Sequence, residues 1–151
     1  MKRIMAVAAI LLVASACSTE PSERFLAVMS GLSEVPPLPG TPAGGTATFT
    51  VNGDGLDFDV TVQSIVSVTS IYVHAGGAGE IGPAVATLYN GPTTGIIGNP
   101  TVLASGTLHP NNLTALSMDS LKTLMRHGKA YVNVATQAIA TGEIRGQIAQ
   151  N

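Results

Sequence analysis

Residues 46–63 constrain the fold more than any other stretch of the chain. Thr46, Thr48 and Thr50 alternate with Ala47, Phe49 and Val51, and Asn52-Gly53-Asp54-Gly55 follows as a tight turn. Leu56, Phe58, Val60 and Val62 then alternate with Asp57, Asp59, Thr61 and Gln63. A period of two sends successive side chains to opposite faces of a strand. Two such runs around an Asn-Gly turn read as an antiparallel hairpin with one apolar face. A lone hairpin is marginal in water, so that face must pack against further strands.

The rest of the chain supplies them. Further strands are predicted over 25–32, 68–74, 83–88, 102–108, 130–134 and 143–149, which with the hairpin makes eight. Pro36 and Pro37 end pairing after the first of these, because proline lacks the ladder donor. Residues 38–45 read as a Pro/Gly loop, 76–79 as a glycine-rich loop and 89–100 as a turn-rich connection. With 17 Gly, 9 Pro and no Trp, the composition is one of short strands and turns. One segment departs from it. Met118, Leu121, Leu124 and Met125 recur at helical spacing, with Ser117 placed to cap the start and Gly128 to end it. Arg126, His127 and Lys129 stand at the negative end of its dipole. The expected fold is all-β, an antiparallel sandwich or barrel with one short helix near residues 117–127.

The N-terminus decides where the chain goes. Lys2 and Arg3 precede an unbroken apolar run over 4–13, then Ala14, Ser15, Ala16 and Cys17. A charged start, a short apolar core and a small-residue cleavage site make a secretory signal peptide, predicted over 1–16. The run is shorter than the roughly 20 residues that span a bilayer. Cys17, the only cysteine, resembles the acylated cysteine of a bacterial lipobox in its looser form, with Ala14 where Leu is commonest. A free thiol beside an export signal would be a reactive leftover. Acylation removes it and supplies an anchor, each buried CH₂ contributing about 0.8 kcal/mol. Residues 17–22 read as the lipidated cysteine and a short polar tether, and the domain as 23–151. Ser18 is not Asp, which by resemblance to lipoprotein sorting points to the outer rather than the inner membrane of a cell with both. Of 7 basic residues, losing Lys2 and Arg3 leaves 5 against 9 acidic ones, a net charge of −4. That charge excludes an electrostatic footprint for nucleic acid.

Four motifs carry a family resemblance. Ser30-Gly31-Leu32-Ser33-Glu34-Val35-Pro36-Pro37 is similar to the opening SGxxEVPP of the chordin-type (CHRD) domain. Ile71-Tyr72-Val73-His74 and the glycines after it resemble that domain's AHIHxG strand and loop. Tyr131-Val132-Asn133-Val134 and Gly142-Glu143-Ile144-Arg145-Gly146-Gln147-Ile148 resemble its closing YVNIHT and GEIRGQI. The resemblance implies an immunoglobulin-like or superoxide-dismutase-like β-sandwich. Two positions depart from the pattern, since Tyr72 replaces the first histidine of the HIH pair and Ala135 the histidine of NIHT.

Residues matching the motifs, either structural or binding, are Glu34, Pro36, Pro37, His74, Asn133, Glu143 and Arg145. His74 is the one candidate metal ligand, with Glu34 and Glu143 as nearby motif acids. A catalytic zinc usually takes three protein ligands, and the other histidines, His109 and His127, fall in a turn and at a helix end. No metal or other cofactor is therefore expected. Glu34 and Arg145 are expected to be structural and paired with each other; the alternative is that Arg145 grips an acidic ligand through its planar fork. Gly77-Ala78-Gly79-Glu80-Ile81-Gly82 spells GxGxxG, but Pro83 and a β-like run replace the helix a dinucleotide site needs. There is no GxSxG elbow. The Asn112-Leu113-Thr114 sequon belongs to a eukaryotic route that the lipobox argues against. The expected function is a non-catalytic binding or structural module, lipid-anchored in the cell envelope and facing an envelope protein or glycan. The alternatives are a metal-binding protein or metal-dependent enzyme centred on His74, and an envelope protein that self-associates through a strand edge.

Overall fold

The hairpin pairs as its alternation requires. β2 (Gly44–Asn52) and β3 (Gly55–Gln63) run antiparallel from Gly44↔Gln63 to Asn52↔Gly55. Gly53 takes φ 58° in the turn, the left-handed value that the first central position of a two-residue hairpin loop adopts. Ala47, Phe49, Leu56, Phe58, Val60 and Val62 are buried, while Thr46, Thr48 and Asp59 are exposed. β1 (Arg24–Ser30) lies on the other side of β2 and sets Phe25 opposite Phe49, which itself faces Phe58. All three phenylalanines of the chain thus form one ladder across three strands, on the inner face.

A computed structural model describes residues 22–151. The predicted leader, the lipidation at Cys17 and the tether as far as residue 21 lie outside the described residues. Among those described, no helix is long and apolar enough to cross a membrane. The remaining elements are β4 (Ile65–Val66), β5 (Val68–Ala75), β6 (Ala84–Asn90), β7 (Ile96–Ile97), β8 (Thr101–Leu108), α1 (Met118–Arg126), β9 (Ala130–Thr136), β10 (Ile144–Gln147) and β11 (Ala149–Gln150). One antiparallel sheet takes the order β6-β5-β9-β10-β1-β2-β3-β8, with β11 also paired to β1. Its end strands β6 and β8 touch, and Ala86 of β6 bridges to Leu113 beyond β8, so the sheet is a nearly closed barrel. The expected all-β class with a single helix holds.

Local differences have local causes. The first strand stops at Ser30 rather than running to residue 32, because Gly31–Ser33 coils into a 3₁₀ turn closed by Glu34 N–H on Gly31 O. The strand predicted over 143–149 divides into β10 and β11, which pair with different stretches of β1. The turn-rich 89–100 connection contains β7, which pairs with β4 in a separate two-stranded sheet. Ser64 and Ser67, at φ 52° and 51°, bracket β4.

The helix starts and stops where its caps predict. Ser117 Oγ accepts Ser120 N–H at 3.2 Å, and Gly128 follows the end at φ 61°. Met118, Leu121 and Met125 enter the core. At the helix end Arg126 grips both oxygens of Glu23 at 2.7 and 2.6 Å, tying the start of the domain to α1.

Truncating the middle rung of the aromatic ladder tests this packing. Phe49→Ala is expected to lower unfolding free energy by about 3–5 kcal/mol. Thr48→Ala, on the outer face of the same strand, should change it by no more than about 0.5 kcal/mol. Denaturant titration of both variants reads the difference.

Candidate functional site

Every residue of β9 is buried. One face is accounted for by Ala130, Val132 and Val134, which belong to the core. The other face, with Tyr131, Asn133 and Ala135, points out of the barrel and would meet water on a bare sheet. Three loops lie over it, one spanning residues 76–83 between β5 and β6, the second residues 31–38 after β1, the third residues 137–143 between β9 and β10.

Arg145 of β10 holds the first loop. Its Nη1 donates to Glu80 O and its Nη2 to Gly77 O, each at 2.8 Å. The guanidinium carbon lies 3.4 Å from the Tyr131 ring centroid. His74 of β5 stacks on the same ring at 4.9 Å and 11°. Because β5 and β10 flank β9, His74 and Arg145 approach Tyr131 from opposite sides. Arg145 is 2 % exposed, and a desolvated cation over an aromatic face contributes about 2 kcal/mol.

Neighbouring side chains complete the clamp. Gln147 Nε2 lies 2.9 Å from Gly76 O and 2.8 Å from both Gly128 O and Ala130 O. Tyr131 Oη receives Gly82 N–H at 3.2 Å, and His74 Nδ1 sits 2.9 Å from Gly82 O. A carbonyl only accepts, so Nδ1 carries the proton and a neutral ring leaves Nε2 as an acceptor. Gly82 itself is required, since a Cβ there would collide with the Ala75 carbonyl oxygen. The GxGxxG segment is thus a strand-linking loop whose carbonyls are occupied by Arg145.

The second loop brings Glu34. Glu34 and Leu38 N–H both reach Gly31 O, at 3.1 and 2.8 Å, and the Val35–Pro36 peptide is cis. Glu34 is 8 % exposed, and its Oε1 is buried with no hydrogen-bond partner. Burial pushes the carboxyl above its ordinary value, opposed by the positive charge of Arg145 and by the Val35 backbone N–H. Glu34 and Arg145 sense each other but form no ion pair, because the guanidinium's terminal nitrogens are spent on loop carbonyls. Each terminal nitrogen thus spends one of its two N–H groups on the 76–83 loop.

Between the loops lies a cleft of about 390 Å³ lined by Glu34, Pro36, His74, Ile81, Asn133 and Arg145, among others. A second of about 400 Å³, with Leu32 and Pro37 in its wall, shares Glu34 and Arg145. Asn133 Nδ2 donates to Thr141 O at 3.3 Å. Glu143 turns aside, with its carboxylate held by the Thr41 and Thr136 hydroxyls at 2.7 and 2.8 Å. Among the described residues no three of His, Cys, Asp and Glu gather as a metal site. The structure therefore brings Glu34, Pro36, Pro37, His74, Asn133 and Arg145 together and sets Glu143 to the side. Tyr131 and Gln147, which sequence reasoning quoted only as motif letters, hold the arrangement together. Their signal was present: polar or aromatic residues at the outward positions of two strands, alternating with Val132, Ile144 and Gly146.

Glu34 makes stability depend on pH. With its folded-state value raised, the native protein holds more protons than the unfolded chain between the ordinary carboxylate range and that raised value. Stability therefore falls as pH rises through that window. Glu34→Gln is expected to gain on the order of 1 kcal/mol at neutral pH. The gain should vanish below the ordinary carboxylate range, as read from melting temperatures across the pH series.

The motifs that meet at this cleft are those of one family. The family model described as CHRD domain matches residues 25–148, which include β2 to β10 and all of β1 but its first residue. The chain has no match among curated proteins or solved structures. Domains of this kind are mostly non-catalytic binding or structural modules. The chain belongs to the CHRD domain family.

Proposed function

We propose that the protein is an exported, lipid-anchored, non-catalytic binding module that meets its partner at the cleft between the 31–38 and 76–83 loops. One observation carries this reading. Arg145, Gln147 and Tyr131 fix the loop walls, while Glu34, beside the space so enclosed, keeps a buried carboxylate oxygen without a partner. Rigid walls around a pocket of a few hundred Å³ are how folds present a ligand site. A buried carboxylate oxygen without a partner is uncommon in a purely architectural cluster.

The position of the cleft fits an anchor at Cys17. β1 leads from Arg24, near the predicted tether, to Ser30 at the start of the 31–38 loop. At about 3.3 Å per residue that separation is about 20 Å. A partner at the cleft would then stand clear of the membrane surface, with an envelope protein or glycan within reach.

Two measurements test the proposal. Radiolabelled palmitate should enter the wild-type chain in cells and be absent from Cys17→Ser; equal labelling would remove the anchor. Cross-linking in intact cells, with a photoreactive residue replacing exposed Ile81 beside the cleft, should trap a discrete partner. The same probe at exposed Val102 on β8 should not, and equal trapping at both sites would overturn the cleft as the docking place.

A further inference from the structure

The cleft holds a buried carboxylate oxygen that no group in the protein satisfies, Glu34 Oε1. Several donors around it are turned to the protein. Arg145 Nη1 and Nη2 go to Glu80 O and Gly77 O, Asn133 Nδ2 to Thr141 O, and His74 Nδ1 to Gly82 O. Tyr131 Oη is turned to the Gly82 backbone. Acceptors remain: Glu34 Oε1, buried and unpartnered, His74 Nε2 and Asn133 Oδ1. The walls between them are apolar, with Val35, Pro36 and Ile81. An anionic ligand would be opposed there by the Glu34 carboxylate. A hydrocarbon alone would leave the carboxylate oxygen unsatisfied, at a cost of about 1–3 kcal/mol.

We propose that this cleft takes a primary alkylammonium group, with its aliphatic stem against Val35, Pro36 and Ile81 and its three N–H donors offered to Glu34, His74 and Asn133. An ammonium on a short stem matches both halves of the site. It supplies donors and positive charge at the carboxylate and apolar area at the walls. The Arg145 charge does not oppose it fully, because two loop carbonyls and the Tyr131 ring lie against the guanidinium. A single carboxylate with one histidine is too few ligands for a divalent metal. Nitrogen cations of this class occur as lysine side chains on a partner and as free alkylamines, and the two can be told apart.

This inference rests on the cleft being the binding site. The test uses the full chain carrying Cys17→Ser, titrated separately with Nα-acetyl-lysine amide, with n-pentylamine and with the neutral Nα,Nε-diacetyl-lysine amide, and followed by NMR at His74 and Ile81. Saturable shifts are expected with at least one of the two amines and at least tenfold weaker binding of the diacetyl form. Preference for the blocked lysine assigns a peptide side chain, and preference for pentylamine a free amine. Glu34→Gln should weaken amine binding at least tenfold while melting no lower than the parent, which separates lost affinity from lost fold. The inference is overturned if neither amine saturates, if the diacetyl form binds equally, if Glu34→Gln binds unchanged, or if Zn²⁺ or Ca²⁺ alone saturates the same signals. A partner cross-linked through residue 81 in a protein indifferent to amines would sink this inference and leave the binding-module reading standing.

Discussion

The Arg145 guanidinium is the contact on which the outer face depends. It donates to two carbonyls of the 76–83 loop and lies over the Tyr131 ring. Charge-assisted hydrogen bonds contribute about 1.5–3 kcal/mol each, which is enough to keep a glycine-rich loop folded back over a sheet. With that loop in place, the outward side of β9 is buried. Tyr131 and Asn133 then sit in a low-dielectric layer, where each polar contact is stronger and each missing one costs more. A lysine at position 145 would keep the charge and lose the fork that spans Gly77 and Glu80.

Glu34 shows what that layer costs. It is a carboxylate out of water, near a cation already engaged elsewhere, with one oxygen left without a partner. Most buried polar groups in folded proteins are satisfied. An exception beside a cleft marks a place where stability has been given up, and ligand sites are where folds tolerate that loss.

The barrel and the site use the same strands differently. On β5, β9 and β10 the inward residues Ile71, Val73, Val132, Val134 and Ile144 build the core. The outward residues His74, Tyr131, Asn133, Arg145 and Gln147 build the loop clamp. Register couples the two sets: His74 faces Tyr131 across β5 and β9, and Asn133 faces Arg145 across β9 and β10. A shift of one residue in any of these ladders would turn the stack inward.

The amino-acid order by itself determined what is local. Alternation over 46–63 and the Gly53 turn dictated a hairpin, because strand period and turn chemistry act within a few residues. The Ser117 cap, the Met118-Leu121-Met125 stripe and Gly128 bounded α1 for the same reason. The all-β class followed, and the motif letters picked out Glu34, His74, Asn133 and Arg145. Only the tertiary structure decided what these residues do. Sequence spacing cannot tell a polar residue facing water from one roofed by a loop 65 residues away, as Arg145 is by Glu80. Nor could it show that Arg145 would choose loop carbonyls over Glu34, since that depends on which acceptor lies within 3 Å once the barrel closes. Short-range periodicity is written along the chain, whereas the partner of a buried charge is set by strands brought together from its two ends.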